Sequence, residues 1–198
     1  MEDFMRTRLY PSTTVDYSEM ARSNATWPDH VARTLVTAGL IAWFRPLTVL
    51  DPACGDGSVV EAAYRAYPFR LAYLGDLSEA NIKALQIAAP TGAAWHGDVQ
   101  SMIELSGQVD LVILTEVLEH LEDPEAVLHA ARARARYLVA SSPVEEPPGV
   151  NNPEHLWSFG IDGFRAMLIQ TGWKPEAMIE LSFTEPGWPY RFQIWGAA

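Results

Sequence analysis

The chain has 198 residues, enough for one domain of ordinary size with a real hydrophobic core. Hydrophobic residues make up 48% and charged residues 20%, the profile of a folded protein rather than a disordered one. With 25 acidic against 14 basic side chains the formal charge is −11, which disfavours nucleic acid and anionic membrane surfaces as partners. The single Cys54 excludes an internal disulfide framework and fits a reducing compartment. The opening MEDFMRTRLYPSTT lacks the apolar stretch of a signal peptide, and LVTAGLIAWF is too short to span a bilayer. A soluble, cytoplasmic protein is the expectation.

Val31, Leu35, Val36, Leu40 and Ile41 recur at helical spacing between Pro28 and Phe44, with Pro28 suited to a first helical turn. After Pro46 the run LTVLD reads as a short buried strand, and Ser58 to Tyr67 returns to helical character. LAYLGD follows as strand, SEANIKALQIAA as a helix with Ser78 as N-cap, and AAWHGDV as a short strand. VDLVILTEV is the clearest buried strand; Asp123 and Pro124 then open the helix DPEAVLHAARARA, and RYLVASSP is another strand. From Met178, MIELSFTEPGWPYRFQIW reads as two antiparallel strands joined by a turn with Pro186, Gly187 and Pro189. Apolar strands alternating with helices predict an α/β fold, a doubly wound, seven-stranded, mostly parallel sheet closed by that hairpin. The arginines from Ala131 to Arg136 read as a solvated helix end. Pro143 to His155 lacks periodicity and follows a parallel strand, so it is expected as a binding loop at the carboxyl edge of the sheet. Trp157 and Phe159, just beyond it, are candidates to line an aromatic pocket.

The stretch VLDPACGDGS, Val49 to Ser58, ends a strand in a turn with two glycines and opens a helix whose first N–H groups are unpaired. Gly55 and Gly57 let bare backbone lie against a ligand, and Asp51 puts a carboxylate beside it. No lysine follows the second glycine, as a P-loop requires. The dinucleotide fingerprint fails at Val60, and Asp51 and Asp56 place negative charge where a pyrophosphate would sit. A cationic ligand without phosphate suits these carboxylates, and S-adenosylmethionine, with its ammonium and sulfonium, is one.

VLDPACGDGS, YLGDLSEAN, WHGDV and LVILTEVLEHLEDP, in this order and spacing, resemble the class I S-adenosylmethionine-dependent methyltransferases over roughly residues 46–173. The resemblance implies a Rossmann-like fold and site roles by position. Asp51, Ala53, Gly55 and Gly57 match the loop under the methionine moiety, with Ala53 where the family has its first glycine. Asp76 matches the acid that accepts the ribose hydroxyls, with Leu77 beside it; Asp98 and Val99 match the grip on adenine. Thr115 and Glu116 match the rim near the methionine amine and the acceptor. DNA adenine methyltransferases are set aside, because LTEV stands where they carry an Asn/Asp-Pro-Pro-aromatic motif. The expected organisation is one domain over 1–198, with 1–45 as an N-terminal arm and helix over the acceptor site and 46–198 as the cofactor-binding core. The segment from Tyr10 to Trp27 is expected to close over the acceptor.

On a helix, Glu116, Glu119 and His120 would share one face at i, i+3 and i+4, the spacing that builds a cation site or a general base. His155 can join from the facing side. The pattern is similar to the Glu-x-x-Glu-His plus distant His of small-RNA 3′-end 2′-O-methyltransferases, where a metal binds the terminal ribose hydroxyls. It also resembles the ubiquinone-biosynthesis O-methyltransferases, which act on small phenols. The residues leave two readings open beside a plain capped helix end. In one, Glu116, Glu119, His120 and His155 hold Mg, Mn or Zn; in the other, Glu116, His120 and His155 act on the acceptor as catalytic groups without metal. The expected activity is methyl transfer to oxygen of a small-molecule acceptor. A metal-dependent RNA 3′-end ribose methyltransferase and a non-catalytic S-adenosylmethionine-binding module are the alternatives.

Overall fold

The structure, a computed structural model, describes residues 6–11, 27–146, 153–185 and 188–198. In chain order the elements are β1 (Arg6–Arg8), α1 (Pro28–Phe44), β2 (Thr48–Asp51), α2 (Ser58–Ala66), β3 (Leu71–Asp76), α3 (Glu79–Ala84), β4 (Thr91–His96) and α4 (Val99–Leu105). Then follow β5 (Val109–Thr115), a single 3-10 turn (Leu118–His120), α5 (Pro124–Arg134), β6 (Ala135–Pro143), β7 (Trp157–Phe159), α6 (Ile161–Gln170), β8 (Pro175–Glu185) and β9 (Trp188–Ala197). Seven strands form one sheet in the order β4-β3-β2-β5-β6-β9-β8. The first five run parallel, while β9 is antiparallel to both β6 and β8. The expected doubly wound sheet with a terminal hairpin is what the chain forms.

The strands read as continuous apolar runs because successive side chains enter two different cores. Leu50, Val112, Leu114, Leu138 and Trp195 pack on one face with α5 and α6; Val49, Leu111, Ile113, Val139 and Ile194 pack on the other with α1 and α2. Strand order reverses between β2 and β5, so their carboxyl ends diverge and leave a crevice there.

Helix α1 has the predicted ends: Pro28 opens it and Arg45, left-handed at φ 51°, stops it before Pro46. Its inward face differs from the pattern read in the sequence. Val31 and Leu35 are exposed, and the buried set is Arg33, Thr34, Thr37, Ala38, Leu40 and Ile41. Helix α3 is only six residues long, because the chain leaves the helix at Leu85 so that Leu85 and Ile87 both pack toward α2. The Ala88 N–H is taken by Glu61 at 2.7 Å instead of by the helix. Helices α4 and α6 and the small antiparallel pair β1–β7 were not among the predicted elements. Phe159 is fully buried beside Phe164 and Trp157 carries Arg6 and Arg8 over its ring, so neither has the pocket-lining place expected of it. Arg132 and Arg134 bond the carbonyls of Gly172 and Glu104, and Arg136 lies over Tyr137, so the arginine run points in several directions. The turn at Pro186 and Gly187, most of the segment from Tyr10 to Trp27, and residues 147–152 of the expected loop lie outside the described residues.

Candidate active site

The tips of β2, β3 and β4 lie side by side and build one half of the site. Gly55 and Gly57 take φ of 54° and 77°, the left-handed region that glycine enters without strain. A Cβ at Gly55 would meet nothing within 4 Å, whereas one at Gly57 would meet Ile87 Cγ2 at 2.8 Å. The loop therefore shows open space on one side and close packing on the other. Asp76 fixes it: Oδ2 accepts the Gly55 N–H at 2.8 Å, and Oδ1 accepts from Ser78 N at 2.7 Å and Asn81 Nδ2 at 3.1 Å.

Asp51 is buried at the tip of β2, with Ala53 N 3.4 Å from Oδ1 and Oδ2 without a partner. Burial pushes its carboxyl up to about 7, and the Asp76 charge adds to the rise. The same burial and the two carboxylates push the Cys54 thiol far above its ordinary value, so Cys54 is a space-filler and not a nucleophile. Asp98 caps α4, accepting Ser101 N at 2.9 Å, and that bond lowers its pKa. Val99 is the first residue of α4, and Leu77 stands exposed beyond β3.

The other half lies at the tips of β5 and β6. Thr115 pairs with Ser141 there. Glu116 is not on a helix with Glu119 and His120, as its spacing predicted. It sits at φ 54°, and its carboxylate turns to Arg33 at 2.7 Å and Ser141 Oγ at 2.6 Å. The pull of a buried guanidinium directs Glu116 away from the cluster in which it was expected to be a ligand.

Glu119, His120 and His155 do converge, with ligand atoms all within 4.8 Å of one another. The two imidazoles meet edge to face at 4.7 Å. His155 Nδ1 lies 2.6 Å from Glu146 Oε2, and His120 Nδ1 lies 3.1 Å from the Glu154 carbonyl. Both acceptors require a proton on Nδ1, which leaves the basic lone pair on Nε2 of each ring. Glu119 is wholly buried with both carboxylate oxygens unpartnered among the described residues, and burial with the Glu116 and Glu146 charges raises its pKa well above its ordinary value. Arg33 and Glu146 were missed in the sequence. The only available signal was an arginine inside an otherwise apolar helix pattern, and an acid inside the long loop.

The family model described as "Methyltransferase domain" matches residues 27–177. The chain belongs to the methyltransferase-domain family. Its seven-stranded sheet has the class I methyltransferase fold. No curated protein sequence matches it. Among solved structures it is similar to magnesium protoporphyrin IX methyltransferase from Synechocystis with S-adenosylhomocysteine bound, at 21% identity and TM-score 0.67, covering 91% of this chain and 89% of that one. A putative methyltransferase from Bacillus halodurans is 14% identical with TM-score 0.62, covering 81% and 97%. The [4+2]-cyclase SpnF is 12% identical with TM-score 0.68, covering 94% and 88%. At these identities the solved structures show a shared fold. No helix among the described residues is long and apolar enough to cross a membrane.

Two measurements test the expected cofactor side of the site. Gly57→Ala should destabilise the free protein by about 1–3 kcal/mol through backbone strain and the Ile87 contact, read by denaturant unfolding. Asp51 holds a proton below about pH 7, and a cationic ligand favours the ionised form, so affinity rises with pH. Calorimetric titration of S-adenosylmethionine should show binding tighten roughly fivefold to tenfold from pH 6 to 7.5. Asp51→Asn should flatten that dependence.

Proposed function

We propose that this methyltransferase alkylates a hydroxyl group of a small molecule, with His155 taking the hydroxyl proton. The supporting observation is the His155–Glu146 pair beside His120 at the carboxyl edge of the sheet, next to the β5 tip. Methyl transfer to oxygen needs little from the protein beyond alignment and removal of one proton. The O–C bond forms as the C–S bond breaks; the products are the methyl ether or ester and S-adenosylhomocysteine. Glu146 keeps the His155 proton on Nδ1 and stabilises the imidazolium as the hydroxyl proton arrives at Nε2. His120, oriented by the Glu154 carbonyl, orients the acceptor oxygen. Glu116, engaged by Arg33 and Ser141, shapes the rim and anchors α1 there.

In this reading Asp51, Ala53, Gly55 and Gly57 lie under the methionine moiety. Asp76 and Leu77 take the ribose side, Asp98 and Val99 the adenine, and Thr115 the rim. Arg33 Nε is buried without a partner and offers a donor to the methionine carboxylate. The acidic surface favours a small acceptor over RNA.

A second reading rests on Glu119. A wholly buried carboxylate with two unpartnered oxygens, beside two imidazoles, fits a divalent cation. Glu119, His120 and His155 would hold it, and two nitrogens with one oxygen suit zinc or manganese better than magnesium. Such an ion would lower the pKa of a bound hydroxyl. Glu146 and the Glu154 carbonyl would then orient the two rings from behind.

Turnover of labelled S-adenosylmethionine with phenols, carboxylic acids and short RNAs, with and without chelator, separates these readings. Transfer to phenols, unchanged by chelator, is the expected result. His155→Ala should lower kcat about 10²-fold or more and Glu146→Gln roughly tenfold, with cofactor affinity kept. Loss of turnover in chelator, restored by zinc or manganese, would select the metal reading. Transfer confined to RNA would overturn the small-molecule acceptor, and tight cofactor binding with no transfer at all would overturn both readings.

A further inference from the structure

Residues 154–157, which carry His155, are held from two sides. On the inner side the Leu156 N–H donates to the Glu119 carbonyl at 2.7 Å, and Trp157 Nε1 donates to the Leu121 carbonyl at 2.8 Å. The outer side is β1. It pairs antiparallel with β7, with Arg8 opposite Trp157, and the Leu9 N–H donates to the Leu156 carbonyl at 2.8 Å.

A two-stranded pair of three residues each has too little backbone pairing to persist alone. Its side chains supply what is missing. The guanidinium carbons of Arg6 and Arg8 lie 3.9 and 4.4 Å from the Trp157 ring centroid, within cation–π range. Arg6 also pairs with Glu125 and Arg8 with Glu122, at 2.9 Å for the latter. These acids flank the start of α5, just after the turn that carries Glu119 and His120. Trp157 thus joins three segments: the arginines of β1, the His155 segment, and the turn bearing the rest of the cluster. In sequence these lie far apart, and only β7 touches the main sheet's edge, through the bridge between Phe159 and Val144 just beyond β6.

We propose that β1, acting through the Arg6–Arg8–Trp157 stack, positions the His155 imidazole against Glu119 and His120. Arg6, Arg8 and Trp157 are positioning residues: they touch neither cofactor nor acceptor, and their effect passes through His155. This rests on the acceptor-side role of His155, and the test separates the two claims.

The variant Arg6→Ala/Arg8→Ala should keep S-adenosylmethionine affinity within twofold, which also reports that the main sheet has folded, while kcat falls about tenfold. Arg6→Lys/Arg8→Lys keeps the ion pairs and should recover part of the loss. In a His155→Ala background the same alanine pair should cost nothing further. An equal loss in both backgrounds, or a parallel fall in cofactor affinity, would overturn the proposal. Independently of catalysis, the His155 imidazole resonances should move in the alanine pair, reporting a loosened contact with Glu146. Unmoved resonances would overturn the positioning role even if His155 proved to be the base; moved resonances with His155→Ala at full rate would uphold positioning and sink the base instead.

Discussion

The Asp76 carboxylate accepts the N–H of Gly55 from the loop of the neighbouring strand, and that bond turns two separate strand tips into one surface. Parallel strands are tied along their lengths, but nothing in the ladder fixes the loops that leave them. Here the same carboxylate also takes Ser78 N and Asn81 Nδ2, so it ends β3, begins α3 and braces the glycine loop at once. A carboxylate has about four acceptor positions, so these donors do not exhaust it. A ligand meeting Asp76 therefore meets a group already immobilised, and little ordering entropy is left to lose on binding. The left-handed backbone at Gly55 and Gly57 depends on this brace, because it bends the chain close to the point where the carboxylate waits.

The tips of β5 and β6 are held differently, by buried charge. The Glu119 carboxylate has no hydrogen-bond partner among the described residues, Asp51 at the β2 tip has one long one, and Glu116 takes up a left-handed conformation to reach Arg33 and Ser141. Each arrangement costs stability: an uncompensated buried carboxylate stays neutral or destabilises the fold, and a non-glycine residue in this region is strained. Such costs are gathered at one edge of a sheet that has two well-packed cores beneath it. The Arg33–Glu116 pair explains the orientation of α1 as well. Bringing the guanidinium inward turns Val31 and Leu35 out to solvent, against their hydrophobicity.

The fold was legible where one physical rule acted alone. Strands such as VDLVILT stand out because both faces are buried, and Pro28, Ser78 and Asp123 mark helix starts by chemistry that needs no tertiary partner. Legibility failed where a distant contact decided. The length of α3 follows from Leu85 and Ile87 packing toward α2, and β1 exists only because residues 157–159 lie beside it. Helices α4 and α6 carried short apolar patterns, yet seven or ten residues give little periodicity to read. In the site, Asp51, Asp76 and Asp98 sit at strand tips as their positions implied. Glu116, expected on a helical face with Glu119, is removed by an arginine 83 positions earlier, and no local pattern reports such a partner.

Strand order decides how the two halves can work together. Strand β5 lies between β2 and β6, so its carboxyl tip adjoins the glycine loop on one side and the tip of β6 on the other. A cofactor lying across β2, β3 and β4 would present its sulfonium methyl toward β5, at the crevice where the strand order reverses. His155 comes from the connection after β6 and Glu119 and His120 from the turn after β5, so the cluster stands on the far side of that crevice. In the proposed reaction the acceptor oxygen would then enter opposite the departing sulfur, the alignment that an in-line displacement at carbon demands. In that reading the topology that creates the crevice would also separate the group that leaves from the group that takes the proton, with the β1–Trp157 stack on the outer side of the His155 segment.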